Sequence, residues 1–410
     1  MKLLILTQYF PPEVGAPQSR LYEVAQRLHK KGIQVSVLTA MPNYPQMRIH
    51  EAYKGKCFCK EDMDGMKIYR SWIYVPKSKA LFKRLINYFS FVFSSVWCGL
   101  FRVKGKYDVL LVESPPLFLG ISAVILSRFK KAKLVFNVSD LWPESAEKLG
   151  LITNKTLLGL ATRLEEYCYR KSAMISGQTQ GIVNNIKSRF PQKKVHWLKN
   201  GVDINYYDVK KDFTKGSWRQ EHGFAQSDFL LFFGGILGYA QDIEVILRCA
   251  ASVKEYGDIK FVIYGTGPEK ERLIKMKEDL KADNVSFYPA VAKNQMQEII
   301  MDMDCSMAPL KRIELFKGAI PTKIFENLAL KKPLLLGVDG EARELFVNEG
   351  KCCLFFEPEN EEAMKEQLLR LYNDRNLLNQ LGENGLDYVT KYFNRDIIAE
   401  DFRKALLEII

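Results

Sequence analysis

The sequence predicts an α/β protein that contains two doubly wound parallel sheets. Short apolar runs alternate with helical stretches along the whole chain, and this alternation is typical of parallel sheets covered by helices on both faces. The pattern begins again after Asn200. The 410 residues, with 47% hydrophobic content, are enough for two separate cores. We therefore expect two Rossmann-like domains, residues 1–205 and 206–393, with a linker near 200–215.

The predicted strands form one set in each domain. The first apolar run, Leu3–Leu6, is too short for a signal peptide and fits a buried strand, and a helix near Gln18–Lys31 follows it. The other strands of the first domain are expected at Val35–Thr39, Ile68–Trp72, Val109–Glu113, Leu134–Val138, Ala173–Ser176 and Val195–Leu198. Those of the second domain are expected at Phe229–Phe233, Lys260–Tyr264, Val285–Tyr288, Asp304–Ala308, Pro333–Gly337 and Cys353–Phe356.

Charge is distributed unevenly between the two predicted domains. Residues 1–205 contain 32 Lys and Arg against 14 Asp and Glu, a net charge of +18, whereas the remaining 28 and 34 give −6. This asymmetry indicates that the first domain faces an anionic partner. Because the basic residues are dispersed and no nucleic-acid-binding motif is present, we expect an anionic membrane surface and no nucleic acid.

Residues 81–106 form an apolar segment with basic ends. The residues between Arg84 and Arg102 are uncharged and many are aromatic. A spanning helix needs about 20 strongly apolar residues, and this stretch is shorter and contains Asn87 and three serines. We expect a helix in the membrane interface, with its aromatic residues embedded and its basic ends on anionic headgroups. The alternative is a helix buried against the first sheet, and one helix can do both on different faces.

A loop that runs into a helix at residues 315–326 has the features of a sugar-nucleotide site. The helix that follows Pro321 and begins at Thr322 offers the free N–H groups of its first turn and a positive dipole end to a phosphate. Lys323 adds a cation, and Glu326, about one turn further on, can accept hydrogen bonds from a ribose diol. The alternative is an ordinary helix start with a surface ion pair three residues apart.

Several further motifs resemble a known family by their order and spacing. They are Gln8–Gly15, Asn137–Glu144, Asn200–Asp203, Gly265–Pro268 and Asp339–Leu345. In this order they resemble the family 4 glycosyltransferases, which are retaining enzymes with the GT-B fold. The string Asn137–Glu144 is similar to that of bacterial O-antigen and capsule enzymes, including N-acetyl-L-fucosamine transferases. The resemblance covers nearly all of the chain.

The resemblance implies a domain arrangement and a set of donor contacts. Two Rossmann-like domains would face each other across a cleft, the first serving acceptor and membrane and the second the nucleotide sugar, and the last helix, 394–410, would return to the first domain. Gly15 would let the donor approach the backbone, although it also fits an ordinary loop glycine. Other implied contacts are Gly235 and Gly238 in a nest of N–H groups at the phosphates, Gly265 and Gly267 in the nucleotide pocket, Val291 at the base, and Gly340 and Glu341 at the sugar hydroxyls.

The sequence departs from the family where relatives hold the diphosphate. Most relatives have an arginine followed five residues later by a lysine, and the matching positions here are Gly235 and Ala240. The first glutamate of a Glu-x7-Glu pair is replaced by Gly318, so only Glu326 remains. The positive charge must come from another residue, and the first candidate is Lys323, with Lys317 or Arg20 as the alternatives.

Two carboxylates follow the predicted strand Leu134–Val138. Asp140 lies at the carboxyl end of that strand, where it can take the acceptor hydroxyl proton or orient the hydroxyl, and Glu144 is a second carboxylate one turn on. The alternative is that Asp140 only caps the helix that begins at Pro143. We expect Asp140, Glu144 and Lys323 to carry the chemistry.

The resemblance, taken with these residues, implies a retaining, metal-independent hexosyltransferase of O-antigen or capsule synthesis. It would move a sugar, such as N-acetyl-L-fucosamine, from a UDP-sugar to a polyprenyl-diphosphate-linked saccharide on the cytoplasmic face of the plasma membrane, where the protein would be peripheral. No cofactor is expected, and no metal, because no Asp-x-Asp motif faces a predicted donor loop. Two alternatives stay open: a UDP-sugar 2-epimerase with the same fold, and a non-catalytic subunit of a polysaccharide assembly complex.

Overall fold

The computed structural model describes residues 1–13, 15–44, 46–76, 81–148, 150, 152–208, 214 and 216–410. The chain divides into two compact units. The first unit contains Met1–Asn200 and Arg395–Ile410, and the second contains Gly201–Asn394. The division falls at the start of the stretch that was expected to be a linker, and a short helix occupies Ile204–Tyr207 within that stretch.

The described residues form fourteen strands in two sheets. The strands of the first unit are β1 (Lys2–Leu6), β2 (Gln34–Ala40), β3 (Phe58–Met63), β4 (Met66–Ser71), β5 (Val109–Ser114), β6 (Lys133–Val138), β7 (Met174–Gly177) and β8 (Lys194–Trp197). Those of the second unit are β9 (Phe229–Ile236), β10 (Ile259–Thr266), β11 (Val285–Tyr288), β12 (Cys305–Pro309), β13 (Leu334–Gly337) and β14 (Cys353–Phe355).

Helices connect and cover these strands. They are α1 (Ala16–Lys30), α2 (Leu81–Phe101), α3 (Leu119–Lys130), α4 (Glu144–Lys148), α5 (Lys155–Lys171), α6 (Gln180–Arg189), α7 (Ile204–Tyr207), α8 (Ser217–Glu221), α9 (Ile243–Ser252), α10 (Lys270–Asp279), α11 (Lys293–Met301), α12 (Thr322–Ala329), α13 (Glu341–Arg343), α14 (Glu361–Asn373), α15 (Arg375–Tyr392) and α16 (Arg395–Leu407). Short 3-10 turns lie at Glu51–Tyr53, Tyr239–Gln241 and Glu314–Gly318, and a π-helical turn lies at Glu344–Glu349.

The sheet of the first unit has the strand order β3-β4-β2-β1-β5-β6-β7-β8. Its strands pair in parallel except β3 and β4, which form an antiparallel hairpin. Both faces are buried: Leu4 and Leu6 of β1 pack in one core cluster, whereas Leu3 and Ile5 pack in the other. This is why the central strands are uniformly apolar rather than alternating.

Helix α16 completes the first unit from the far end of the chain. Its Phe402 and Leu406 are fully buried in the same cluster as Leu3 and Ile5. An ion pair between Arg27 Nε of α1 and Asp396 Oδ1, at 2.8 Å, fixes its first turn. The last helix therefore belongs to the core of the first unit.

The sheet of the second unit has the strand order β11-β10-β9-β12-β13-β14, and all of its pairs are parallel. Its core includes Phe229, Phe233 and Phe261, which are fully buried. Because every strand points the same way, the loops after β9, β10, β12 and β13 emerge at one edge of the sheet.

The predicted fold class, two doubly wound α/β domains, is confirmed, and every predicted strand is observed. Strand β3 was not among the expected strands. It is a polar edge strand, which carries little of the apolar signal that marks a buried strand. Strand β9 continues to Ile236, three residues past its expected end, because it stays paired with β10.

Helix α2 has two different faces. Phe91, Val92 and Cys98 are buried in the first unit. On the opposite side an aromatic stripe, which we define as Phe82, Ile86, Phe93, Trp97 and Phe101, is exposed to solvent. The buried environment expected as the alternative is therefore present on one face, and the other face leaves large apolar side chains uncovered. Among the described helices, none has the length and hydropathy needed to cross a bilayer.

Candidate functional site

Two glycines bring β9 and β10 into close contact at the carboxyl edge of the second sheet. Gly235 and Gly265 are directly paired across the two strands. A Cβ at Gly265 would overlap the carbonyl oxygen of Gly235, and a Cβ at Gly267 would overlap the backbone of Leu237. No side chain fits at either position, so the close packing of the two strand ends requires glycine at 265 and 267.

The ammonium group of Lys323 lies beside this glycine pair. Its Nζ donates to Gln241 Oε1 at 3.0 Å and lies 3.7 Å from the ring centroid of Phe233. A Cβ at Gly235 would come within 3.1 Å of the same Nζ, so the glycine leaves room for the cation. Burial lowers the pKa of Lys323 to about 7, against the attraction of Glu326. The side chain therefore changes charge near neutral pH and can gain a full charge when an anion arrives.

Glu326 lies one turn further along α12, between α7 and α11. It accepts a hydrogen bond from the Tyr207 hydroxyl, and its Oε1 is 4.0 Å from Lys293 Nζ. The same Lys293 ammonium lies over the rings of Tyr206 and Tyr207. Burial raises the pKa of Glu326, although these partners oppose the rise. The carboxylate is thus held in place by side chains from two neighbouring helices.

A buried ion cluster supports the loop that carries Gln241. Lys311 Nζ pairs with Asp242 at 2.9 Å, Glu359 at 3.2 Å and Glu244 at 3.4 Å, and its backbone N–H donates to Ala240. Burial lowers the pKa of Lys311, but the three carboxylates outweigh it and raise the pKa. These ion pairs fix the loop, and through it the position of the Gln241 oxygen that accepts the hydrogen bond from the Lys323 ammonium.

The remaining predicted donor residues of the second unit lie around the same sheet edge. Pro321 is the N-cap of α12 and Thr322 its first residue, so the N-terminal N–H groups have no side-chain cap from Pro321. Gly340 has φ 80°, and a Cβ there would overlap the Lys317 carbonyl oxygen. Glu341 begins α13, and Val291 lies half-buried between β11 and α11.

A cavity of about 310 Å³ adjoins the ends of β12 and β13. Lys311, Lys317 and Asp339 are among the residues that line it. Lys317 also pairs with Glu314 at 2.9 Å, and its side chain is about half exposed. Lys317 and Arg20 were the alternatives to Lys323 as the cation for the diphosphate. Lys317 lies at the surface of the second unit, whereas Arg20 belongs to the first unit and is buried.

In the first unit Asp140 follows β6 at the carboxyl edge of the sheet. Its Oδ1 accepts a hydrogen bond from the Ser145 hydroxyl, and its carbonyl accepts from the Trp142 N–H. Glu144 begins α4 and pairs with Lys148 at 2.7 Å. Asp140 thus bonds the side chain of a helix residue, an arrangement different from the simple backbone cap considered above.

Gly15 is the N-cap of α1 and lies at the same edge of the first sheet. Its backbone is extended, and a Cβ there would meet the side-chain oxygen of Gln18. Because the obstacle is the end of a flexible side chain, the structure restricts position 15 less than position 265.

A buried polar network behind Asp140 was not anticipated from the sequence. Arg20 Nη2 lies 2.6 Å from Glu113 Oε1 and 2.6 Å from Ser139 Oγ. Asn137 Nδ2 donates to the other Glu113 oxygen at 2.6 Å, and Ser176 donates to Asn137 Oδ1 at 2.7 Å. Arg20 is therefore neutralised within the first unit, and the network fixes Ser139, the residue before Asp140.

Several solved structures share this fold. Anabaena HepE in complex with UDP matches with a TM-score of 0.71 and 16% identity over 100% of both chains. WaaG, a glycosyltransferase involved in lipopolysaccharide biosynthesis, matches with a TM-score of 0.66 and 15% identity over 98% of this chain and 99% of that one. The family model described as glycosyl transferase 4-like domain matches residues 15–201, and that described as glycosyl transferases group 1 matches residues 214–387. The chain is a GT-B glycosyltransferase.

This glycosyltransferase is also similar to a curated relative along its whole length. The putative colanic acid biosynthesis glycosyl transferase WcaI of Escherichia coli (strain K12) is 24% identical over 411 residues, which are 97% of this chain and all of the relative. The two family matches divide the chain close to the boundary between the two compact units.

The structure brings some predicted site residues of the glycosyltransferase together and separates others. Gly235, Gly265, Lys323 and Glu326 form one cluster in the second unit. The expected nest of N–H groups at residues 234–238 is wrong in part, because this stretch continues β9 and the Leu237 N–H donates to Thr266. Among the described residues, no three His, Cys, Asp or Glu side chains form a group that can hold a metal ion.

Proposed function

We propose that this glycosyltransferase moves a sugar from a UDP-sugar to a lipid-diphosphate-linked saccharide in bacterial surface-polysaccharide synthesis. The observation that carries the proposal is the Lys323 ammonium, which lies beside Gly235 at the N-terminus of α12, one turn from Glu326. A cation next to a carboxylate matches a donor whose diphosphate and ribose need opposite partners. Three similar proteins are consistent with it: HepE was solved in complex with UDP, WaaG is involved in lipopolysaccharide biosynthesis, and WcaI is named for colanic acid biosynthesis.

The proposed mechanism is retaining and uses no metal. Lys323 and the backbone N–H groups in the first turn of α12, from Thr322 onward, would stabilise the negative charge that develops on the leaving diphosphate. Attack from the same face as the departing phosphate preserves the configuration, and that phosphate helps to remove the acceptor proton. Asp140 would orient the acceptor hydroxyl or receive its proton, with Glu144 as a second carboxylate. The donor sugar proposed from the resemblance is an N-acetylated deoxyhexose such as N-acetyl-L-fucosamine.

Incubation with a panel of UDP-sugars and a polyprenyl-diphosphate-linked saccharide tests the proposal. We expect one UDP-sugar to be consumed only with the acceptor, a product whose anomeric configuration equals that of the donor, and an unchanged rate after EDTA treatment. Mass spectrometry and NMR of the product measure all three. Conversion of a UDP-sugar without acceptor would instead indicate an epimerase, and a protein with no UDP affinity would be a non-catalytic subunit.

We also propose that the first unit docks on the cytoplasmic face of the plasma membrane through the aromatic stripe of α2. Phe93, Trp97 and Phe101 are 73%, 50% and 65% exposed, which is unusual for such large apolar side chains. Exposed basic residues flank them, among them Lys83, Arg102 and Lys104. An apolar stripe with basic ends matches an interface rich in anionic lipid.

Replacing Phe93, Trp97 and Phe101 by serine is expected to abolish sedimentation with anionic liposomes. The folded state should persist, because all three side chains are largely outside the core. Sedimentation and thermal melting measure the two effects, with Ile397→Ser and Leu407→Ser, two exposed apolar positions of α16, as the control. Binding of the triple variant at wild-type level would contradict docking through this stripe.

A further inference from the structure

An apolar groove of about 480 Å³ lies between α2, α3 and α5, wholly within the first unit. Its volume is in the range typical of ligand sites, roughly 300–1,000 Å³. The walls are aromatic and aliphatic side chains, including Phe89, Phe118, Ile121, Leu160 and Leu164. The rings of Phe89 and Phe118 pack with centroids 4.7 Å apart and give the groove a formed wall.

The groove is open along one side to solvent. Leu157 and Leu160, which line it from α5, are 49% and 56% exposed. Beside it on α2, Phe82 is 72% exposed and belongs to the aromatic stripe. The apolar surface of the groove is therefore continuous along α2 with the surface proposed to meet the membrane. Such a surface is suited to an apolar ligand that enters from the bilayer.

One end of the groove carries its charge. Among the described residues that line it, Arg84 is the charged one, and its Nη2 lies 3.4 Å from the Tyr88 hydroxyl. Arg84 is close enough to Tyr9 to oppose the rise that burial causes in the pKa of Tyr9. Tyr9 lies in the loop after β1, so the charged end adjoins the carboxyl edge of the first sheet.

Two further contacts place this end beside the candidate acceptor site. Gln8 Nε2 donates to Asn87 Oδ1 of α2 at 3.0 Å and to the Tyr9 hydroxyl at 3.1 Å. Trp142, two residues after Asp140, lines the groove. Arg84 and Trp142 therefore connect the groove with the Asp140 loop, and apart from Arg84 and Tyr88 its described walls are apolar.

We propose that the groove binds the hydrocarbon chain of the lipid-diphosphate acceptor, with Arg84 facing the diphosphate. This inference rests on the proposed function. A prenyl chain has no polar group that needs a hydrogen-bond partner, so it fits the apolar walls. Its diphosphate carries the negative charge that complements Arg84 at the charged end of the groove. The isoprene units nearest the diphosphate lie beside Arg84, the units that follow reach Leu157 and Leu160 of α5, and the rest of the chain leaves the groove for the bilayer.

The test compares two acceptors that carry the same saccharide diphosphate. One has a geranyl tail and the other a geranylgeranyl tail, and both are used below their critical micelle concentrations. The wild-type KM should be lower for the longer tail. Leu157→Glu with Leu160→Glu should raise the KM for the longer tail by about tenfold or more and leave the short-tail KM, kcat and UDP affinity unchanged. Leu407→Glu, at an exposed position of α16, is the matched control.

Each outcome separates this inference from the proposed function. Transfer with equal KM for both tails would contradict binding of the prenyl chain in the groove, and so would a chain-length preference that survives in the α5 variant. Neither result would contradict the proposed glycosyltransferase function. Transfer to neither acceptor would overturn the proposed function. A photoreactive prenyl diphosphate without saccharide gives a readout independent of catalysis: it should label peptides of α2, α3 or α5 in competition with unlabelled prenyl diphosphate. Labelling confined to other elements would contradict the proposal that the groove binds the prenyl chain. Occupation of the groove by a protein segment in place of the lipid would also contradict it.

Discussion

Asp140→Asn is expected to lower turnover by roughly 10²–10⁴-fold while UDP affinity and melting temperature stay unchanged. The side-chain oxygen of asparagine can still accept the hydrogen bond from the Ser145 hydroxyl, so the loop after β6 should keep its shape. What disappears is the basic oxygen that would handle the acceptor proton. Steady-state kinetics, calorimetry with UDP and thermal melting measure the three quantities.

The outcome distinguishes three roles for Asp140. A residue that only supports the start of α4 would leave turnover near normal, because asparagine also serves at helix starts. A residue that shapes the donor pocket would reduce UDP affinity together with the rate. Glu147→Gln, at an exposed position of the same helix, is the matched control and should behave as wild type.

Lys323→Met is expected to reduce kcat/KM by roughly 10²–10³-fold, the usual effect of removing one group that stabilises developing negative charge. Methionine keeps the length and packing of the side chain next to Phe233, so the loss reports the charge. Lys323→Arg should retain part of the activity. Lys275→Met, at an exposed position of α10, is the control. Wild-type kinetics in Lys323→Met would exclude the lysine as the diphosphate cation.

The same lysine should make UDP binding depend on pH. Its pKa of about 7 in the free protein means that it is mostly neutral at pH 8, whereas a bound diphosphate favours the charged form. Binding at pH 8 should therefore take up close to one proton, and affinity should fall as pH rises above 7. Calorimetry in two buffers of different ionisation enthalpy measures the uptake, which should vanish in Lys323→Met.

The stability of the ligand-free protein should follow the opposite trend. Between pH 7 and the ordinary lysine pKa of 10.5 the unfolded chain binds more protons at position 323 than the folded one does. The contribution of this group to the free energy of unfolding therefore rises with pH across that window. Bound UDP restores the charge in the folded state and removes the trend.

The sequence predicted the features that are local along the chain. Apolar runs marked the strands, and the segment 315–326 marked the start of α12 together with Lys323 and Glu326. The partners of those residues were not predictable in this way. Gln241 lies 82 positions before Lys323, and Lys311 meets carboxylates at 242, 244 and 359. Only the order of the strands in the sheet brings such residues together, and that order cannot be predicted from a single sequence.

The first unit showed the same limit. The pairing of Arg20 with Glu113 joins residues 93 positions apart, and the apolar groove is formed by three helices, α2, α3 and α5, that are separated in the sequence. The segment 81–106 was recognised as apolar with basic ends, but its division into a buried face and the aromatic stripe depends on which side of α2 meets the sheet. That side is set by packing and not by composition.

The position of α16 has a consequence for synthesis on the ribosome. Residues 1–200 emerge first, yet their core lacks Ile398, Phe402 and Leu406 until the end of the chain has been made. At elongation rates of about 5–20 residues per second that interval is about 10–40 s. The second unit, which is contiguous in sequence, can reach its final packing while the first still exposes an apolar surface on α1 and β1. The part of the protein that is translated first is thus the part that matures last.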